Sequence, residues 1–108
     1  MMQVDTQSLT DLITSCFNLS MDGRLKLDQQ KGFNAQGKRL RGSLLNLLSA
    51  RFNDRTQEVT DANTQLAAVN ATVQQVSQRL ANVAAALQDV ADLVGVLDDL
   101  LKLAATFV

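Results

Sequence analysis

From Leu45 to Val94 the chain contains neither proline nor glycine, and apolar residues recur there at alternating steps of three and four. The series runs Leu45, Leu48, Phe52, Arg55, Val59, Ala62, Leu66, Val69, Val73 and Val76. It continues through Leu80, Val83, Leu87, Val90, Val94, Leu97, Leu101, Ala104 and Val108. Of these 19 positions only Arg55 is polar, in a chain whose hydrophobic content is 46%. A random register would place apolar residues at about half of them, so the spacing is a heptad repeat, the signature of helices that pack along a seam. Unbroken, such a helix would be about 96 Å long at 1.5 Å per residue.

The lapse at Arg55 falls beside Asn53 and Asp54, both turn-prone, and Asp54 with Gln57 has capping-box spacing. One reading keeps a single heptad helix over 43–108, with Arg55 reaching out of the seam. The other breaks it near 53–56. Turn signal and pattern lapse coincide, which favours the break and gives helices over roughly 5–21, 34–53 and 56–106.

Residues 5–21 read as the first of these helices. Leu9, Leu12, Ile13, Cys16 and Phe17 fall on one helical face, with Asp5 or Thr6 as N-cap and Gly23 as the stop. Residues 22–42 read as a connector, a short helix plus loop. They hold four of the five glycines and six of the ten basic residues: Arg24, Lys26, Lys31, Lys38, Arg39 and Arg41. The whole chain of 108 residues is thus expected to be one all-α helical domain.

An apolar stripe of this length requires cover, because burying each Leu or Val is worth about 1.5–3 kcal/mol. The two shorter helices together cannot span it, and the simplest cover is a second copy. The expected oligomer seam is Leu66, Val69, Val73, Val76, Leu80, Val83, Leu87, Val90, Val94, Leu97 and Leu101. Valine at d positions favours three or four strands over a parallel pair. The stripe widens towards the C-terminus, with Ala86, Leu93 and Leu100 beside it, as in a self-associating helical bundle. Charges flanking the seam are few (Arg51, Glu58, Arg79 and Asp98), which points to self-association over selective pairing with another chain.

Composition removes most chemistry. There is no His, Trp, Tyr or Pro, one Cys, and Glu58 is the only Glu. Cys16 has no base to activate it and lies on an apolar face, so it reads as a small buried hydrophobe. Asp89, Asp92 and Asp99 share a polar helix face without the loop carbonyls of a cation site. No catalytic residue, metal site or cofactor is expected, and the chain is read as non-enzymatic.

Gly37-Lys38-Arg39-Leu40-Arg41 resembles the short basic motif with which polyprenyl diphosphate synthases hold pyrophosphate. The resemblance covers five residues. The Asp-rich motif of those enzymes has its nearest counterpart in Asp98-Asp99-Leu100-Leu101-Lys102, where Lys replaces the last Asp, and the chain is too short for their fold. Lys38, Arg39 and Arg41 remain candidate anion contacts. Without interleaved Trp or Tyr, and with a net charge of −1, a solvated or salt-bridged segment outweighs an anion site. Nucleic acid and anionic membrane are therefore not expected as partners.

The N-terminus shows no signal-peptide pattern, and acidic residues interrupt the most apolar stretch, so no transmembrane segment is expected. The expectation is a cytoplasmic, self-associating scaffold or adaptor, with segment 24–41 as the contact surface for a further protein partner. The alternative is a small module that binds phosphate groups through that segment.

Overall fold

The computed structural model describes residues 3–52 and 55–105. Those residues form four helices and no strand: α1 Thr6–Ser20, α2 Leu27–Leu47, α3 Thr56–Arg79 and α4 Val83–Ala105. Each helix packs on two neighbours in the ring order α1, α2, α4, α3, so that α1 faces α4 and α2 faces α3 across the diagonals. The particle measures 45 × 20 × 19 Å.

Local chemistry starts and stops the helices. One carboxylate oxygen of Asp5 accepts the Ser8 N–H at 3.1 Å and the other accepts the Ser8 hydroxyl at 2.8 Å, capping α1. At the far end the N–H groups of Met21 and Asp22 turn back to the carbonyls of Asn18 and Leu19. The side chain of Gln29 then accepts the Lys26 N–H at 3.0 Å and sets the start of α2.

The glycine-rich segment is a helix and not a connector. Only residues 21–26 join α1 to α2, and α2 runs through Gly32, Gly37 and Gly42. Close packing explains two of the three glycines. A Cβ on Gly37 would lie 3.0 Å from the Phe17 ring, and one on Gly32 would lie 3.2 Å from the Leu87 side chain. Each helical glycine costs about 1 kcal/mol relative to alanine, which the closer approach of α1 and α4 offsets at these positions.

The long heptad helix is also corrected. The chain leaves helix after Leu47 and re-enters at Thr56, with Phe52 buried in between; Asn53 and Asp54 of the expected turn lie outside the described residues. A second break follows at residues 80–82, where Leu80 has φ 54° and Asn82 φ 59°. Left-handed backbone is tolerable for Asn but costs about 1–2 kcal/mol for Leu. The turn folds α4 back antiparallel on α3, so that Glu58 and Asp61 line one crevice with Asp99, and Gln65 and Thr72 line another with Asp89 and Asp92.

This hairpin covers the heptad seam from within the chain. Leu66, Val69, Val73, Val76, Val83, Val90, Val94 and Leu97 are buried, and Leu80, Leu87 and Leu101 are half-buried. The remaining cover comes from α1 and α2, through Leu9, Leu12, Phe33 and Leu40, all fully buried. The need for a second chain along the seam disappears, because four helices close the core where one rod could not. Leu45 and Leu48, the first positions of the heptad series, are 65% and 64% exposed. They belong to the end of α2, whose buried positions Phe33, Gly37, Leu40 and Leu47 are out of phase with them.

The glycines separate by environment, and stability should follow. Gly42 has nothing within 4 Å of the point where an alanine methyl would stand, so Gly42→Ala should stabilise by about 0.5–1 kcal/mol. Gly37→Ala must displace the Phe17 ring and should destabilise by about 1 kcal/mol or more. Urea midpoints followed by far-ultraviolet circular dichroism measure both; a gain at Gly37 equal to that at Gly42 would contradict the packing account.

Candidate functional site

Two surfaces compete for the role of a site. The larger is a polar groove of about 640 Å³ between α1 and α3, lined by Asp11, Asn18 and Asp22 on one side and Asn70, Gln74 and Ser77 on the other. Its polar groups are mostly spent on structure. The Asn70 amide donates to the Ser8 carbonyl at 3.1 Å, and the Gln74 amide donates to the Ser15 hydroxyl at 3.0 Å. Above them Asn63 clasps the N-terminal segment, accepting the Asp5 N–H at 2.8 Å and donating to the Gln3 carbonyl at 3.0 Å. At the other end Arg24 donates to the Ser77 carbonyl at 3.3 Å while chelating Asp22, whose carboxyl that pairing holds down at about 2.

Asn63, Asn70 and Ser77 are one heptad apart, so this ladder runs parallel to the apolar seam and holds α1 in register beside α3. The sequence reading missed it, although two asparagines seven residues apart beside an apolar stripe, Asn63 and Asn70, are a visible signal.

The second surface is the outer face of α2. Lys38, Arg39 and Arg41 are exposed there together, joined by Lys31. At about 100° per residue, Lys31, Lys38 and Leu45 stack nearly in line, with Arg39 and Arg41 on either flank. Among the described residues no ion pair involves any of these four cations; the pairs run between Arg24 and Asp22, Arg55 and Glu58, and Lys102 and Asp99. Asp28 is the one acid on the helix.

Packing aims one of these cations. Because Gly37 has no side chain, the Phe17 ring lies close on α2, and the Arg41 guanidinium sits 5.6 Å from the ring centroid. The exposed large apolar side chains among the described residues also gather here: Leu27, Leu45 and Leu48 on or ending α2, and Met21 in the turn before it.

Opposite charge collects elsewhere. α4 carries Asp89, Asp92, Asp98 and Asp99 against Lys102, and α3 contributes Glu58 and Asp61. The net charge of −1 therefore conceals a basic α2 and an acidic α3–α4 side. Despite these acids, the described residues contain no group of three or more side chains placed to hold a metal ion. No helix among them is long and apolar enough to cross a membrane.

Of the residues singled out in the sequence, the structure thus brings the three basic ones onto one exposed face and puts eight of the eleven seam residues in the core, with Leu80, Leu87 and Leu101 packed at its edge. Compared with known proteins, the chain matches no family model, no curated protein and no solved structure. Its function must be read from its own surfaces.

Cys16 is fully buried, and loss of solvation pushes its thiol up to about 12. It should resist a disulfide exchange reagent in the folded protein and react at the rate of a free thiol in urea; fast labelling of the native state would overturn its placement. The amide ladder is testable alongside it. Asn70→Ala removes a part-buried hydrogen bond and should lower stability by about 1–2 kcal/mol in urea unfolding, whereas an exposed control, Gln75→Ala, should change it by less than about 0.5 kcal/mol.

Proposed function

We propose that this protein is a non-enzymatic helical adaptor that docks an anionic surface of a partner through the outer face of α2. The observation that carries the reading is the set of exposed cations Lys31, Lys38, Arg39 and Arg41, free of ion pairs among the described residues and held on one rigid helix. An exposed cation of this kind keeps its hydration until a partner arrives, so it contributes to steering and to specificity more than to the stability of the fold.

The assignment as non-enzymatic is supported by what the chain offers for chemistry. It has no histidine, and its single cysteine is buried as a neutral thiol. A cytoplasmic setting is supported by that lone free cysteine, which belongs to no disulfide framework. Self-association through the heptad seam receives less support than docking through α2, because the core of the same chain already covers the seam. The four cations also outweigh the reading of segment 24–41 as a merely solvated loop, since a helix displays them in fixed positions.

Heparin serves as a polyanion probe. The sequence pI is about 5.1, so net charge does not favour retention at neutral pH, and binding would report the local face of α2. The protein should be retained at low salt, and Lys38→Ala, Arg39→Ala and Arg41→Ala combined should elute at clearly lower salt with unchanged helicity. Absence of retention, or equal elution of the variant, would overturn the proposal.

A further inference from the structure

We infer that the surface docked by α2 is the α3–α4 groove of a second copy of this chain, so that the molecules associate head to tail. The inference rests on the reading of α2 as a docking face and names its occupant. The α2 face presents cations together with the exposed leucines Leu45 and Leu48. A bare polyanion would satisfy the cations and leave the leucines in water. An acidic rim round an apolar floor would satisfy both.

The chain carries such a groove. Glu58 and Asp61 of α3 and Asp99 of α4 surround Val96 and Leu103 in a crevice of about 230 Å³. A cavity of ~150 Å³ accepts a benzene ring, so this one has room for the four carbons of a leucine side chain. The same interhelical line continues into a second hollow of about 210 Å³ lined by Asp89 and Asp92 of α4 with Gln65 and Thr72 of α3.

The spacings correspond. Along α2 the order is Lys31, Lys38, Leu45, and along α4 it is Asp89, Val96, Leu103, with Asp92 and Asp99 between. Each step is seven residues, or about 10.5 Å, so both series span about 21 Å. Laid side by side, Lys31 meets Asp89, Lys38 stands over Val96 with Asp92 and Asp99 on either side of it, and Leu45 meets Leu103. Exposed Ala35 and Gly42 lie on the same face of α2, and nothing stands within 4 Å of a methyl position on Gly42, so another helix can approach closely.

Existing partners offer little competition. The Arg55–Glu58 and Lys102–Asp99 pairs are both 3.8 Å long and partly or largely exposed, which makes them weak. Asp61 and Asp92 are each met by a neutral amide, from Gln57 and Gln88. Within one molecule α2 lies diagonally across from α3, so its outer face is turned away from the groove and the contact must join two copies. Because the outer face of α2 and the α3–α4 groove lie on different sides of the bundle, the interface is heterologous, and it propagates into a chain or closes into a ring.

Charge exchange tests this. One variant carries Lys31→Glu, Lys38→Glu and Arg39→Glu; the other carries Asp61→Lys, Asp92→Lys and Asp99→Lys. All six positions are exposed, and circular dichroism checks that both variants fold. Sedimentation velocity with interference optics is used because the chain has no Trp or Tyr.

At about 10 mM salt, where the Debye length is about 30 Å, the parent protein should sediment with at least about twice its 11.7 kDa mass. At about 1 M salt it should return to the monomer mass. Each variant alone should be monomeric at low salt, and an equimolar mixture should recover the larger mass. A monomeric parent at low salt, or a mixture that stays monomeric, would overturn the inference. A monomeric parent that still binds heparin through Lys38, Arg39 and Arg41 leaves docking through α2 standing with a different partner; loss of both results removes the two proposals together.

Discussion

The antiparallel closure of α4 on α3 is the constraint on which the remaining structure depends. It requires Leu80 and Asn82 to adopt left-handed backbone, a cost of about 1–2 kcal/mol at the leucine. In return eight seam residues on the two helices become buried, each worth about 1.5–3 kcal/mol. That imbalance makes the turn stable without glycine or proline. Once the hairpin exists, it offers a concave apolar surface that α1 and α2 can close, and the four-helix ring follows.

Hydrogen bonds and glycines then decide how the first two helices sit. The ladder of Asn63, Asn70 and Gln74 ties α1 to α3 through backbone carbonyls, an N–H and one hydroxyl, which a one-turn slip would break. On the other flank Gly37 lets the Phe17 ring lie against α2, and Gly32 does the same for Leu87. The ring that fills the space over Gly37 also holds the exposed Arg41 guanidinium 5.6 Å from its centroid. Packing inside the bundle and the placement of a charge on its surface therefore share one ring.

Charge separation is the second consequence of that arrangement. With the cations of α2 on its outer face, no ion pair among the described residues joins the basic helix to the acidic α3–α4 groove within the molecule. Both surfaces combine charge with apolar groups, Leu45 and Leu48 on one and Val96 and Leu103 on the other. This combination favours recognition of another folded surface over simple attraction to phosphate.

Much of the helical content was legible in the chain because it is a local property. Leu9, Leu12, Ile13 and Cys16 fall on one face of α1, and Asp5 caps it as its position implies. The basic residues Lys38, Arg39 and Arg41 were also legible as a cluster, although a connector was expected where a helix stands. Leu45 and Leu48 were misplaced because a three-four spacing is shared by consecutive helices, and nothing in the period itself marks where one ends. The turn at Leu80 left no local mark either, since Val76 and Val83 keep the heptad phase across it.

By itself, then, the sequence determined that this chain is helical, where its apolar stripe runs and which residues carry charge, for these follow from propensity and from periodicity within each helix. Only the tertiary structure decided that the stripe is covered by its own chain, and that the basic and acidic faces lie apart on the surface. The physical reason is that a periodic apolar face specifies burial without specifying what buries it. That choice depends on the energy of bending the chain back at residues 80–82 against the energy of recruiting another copy.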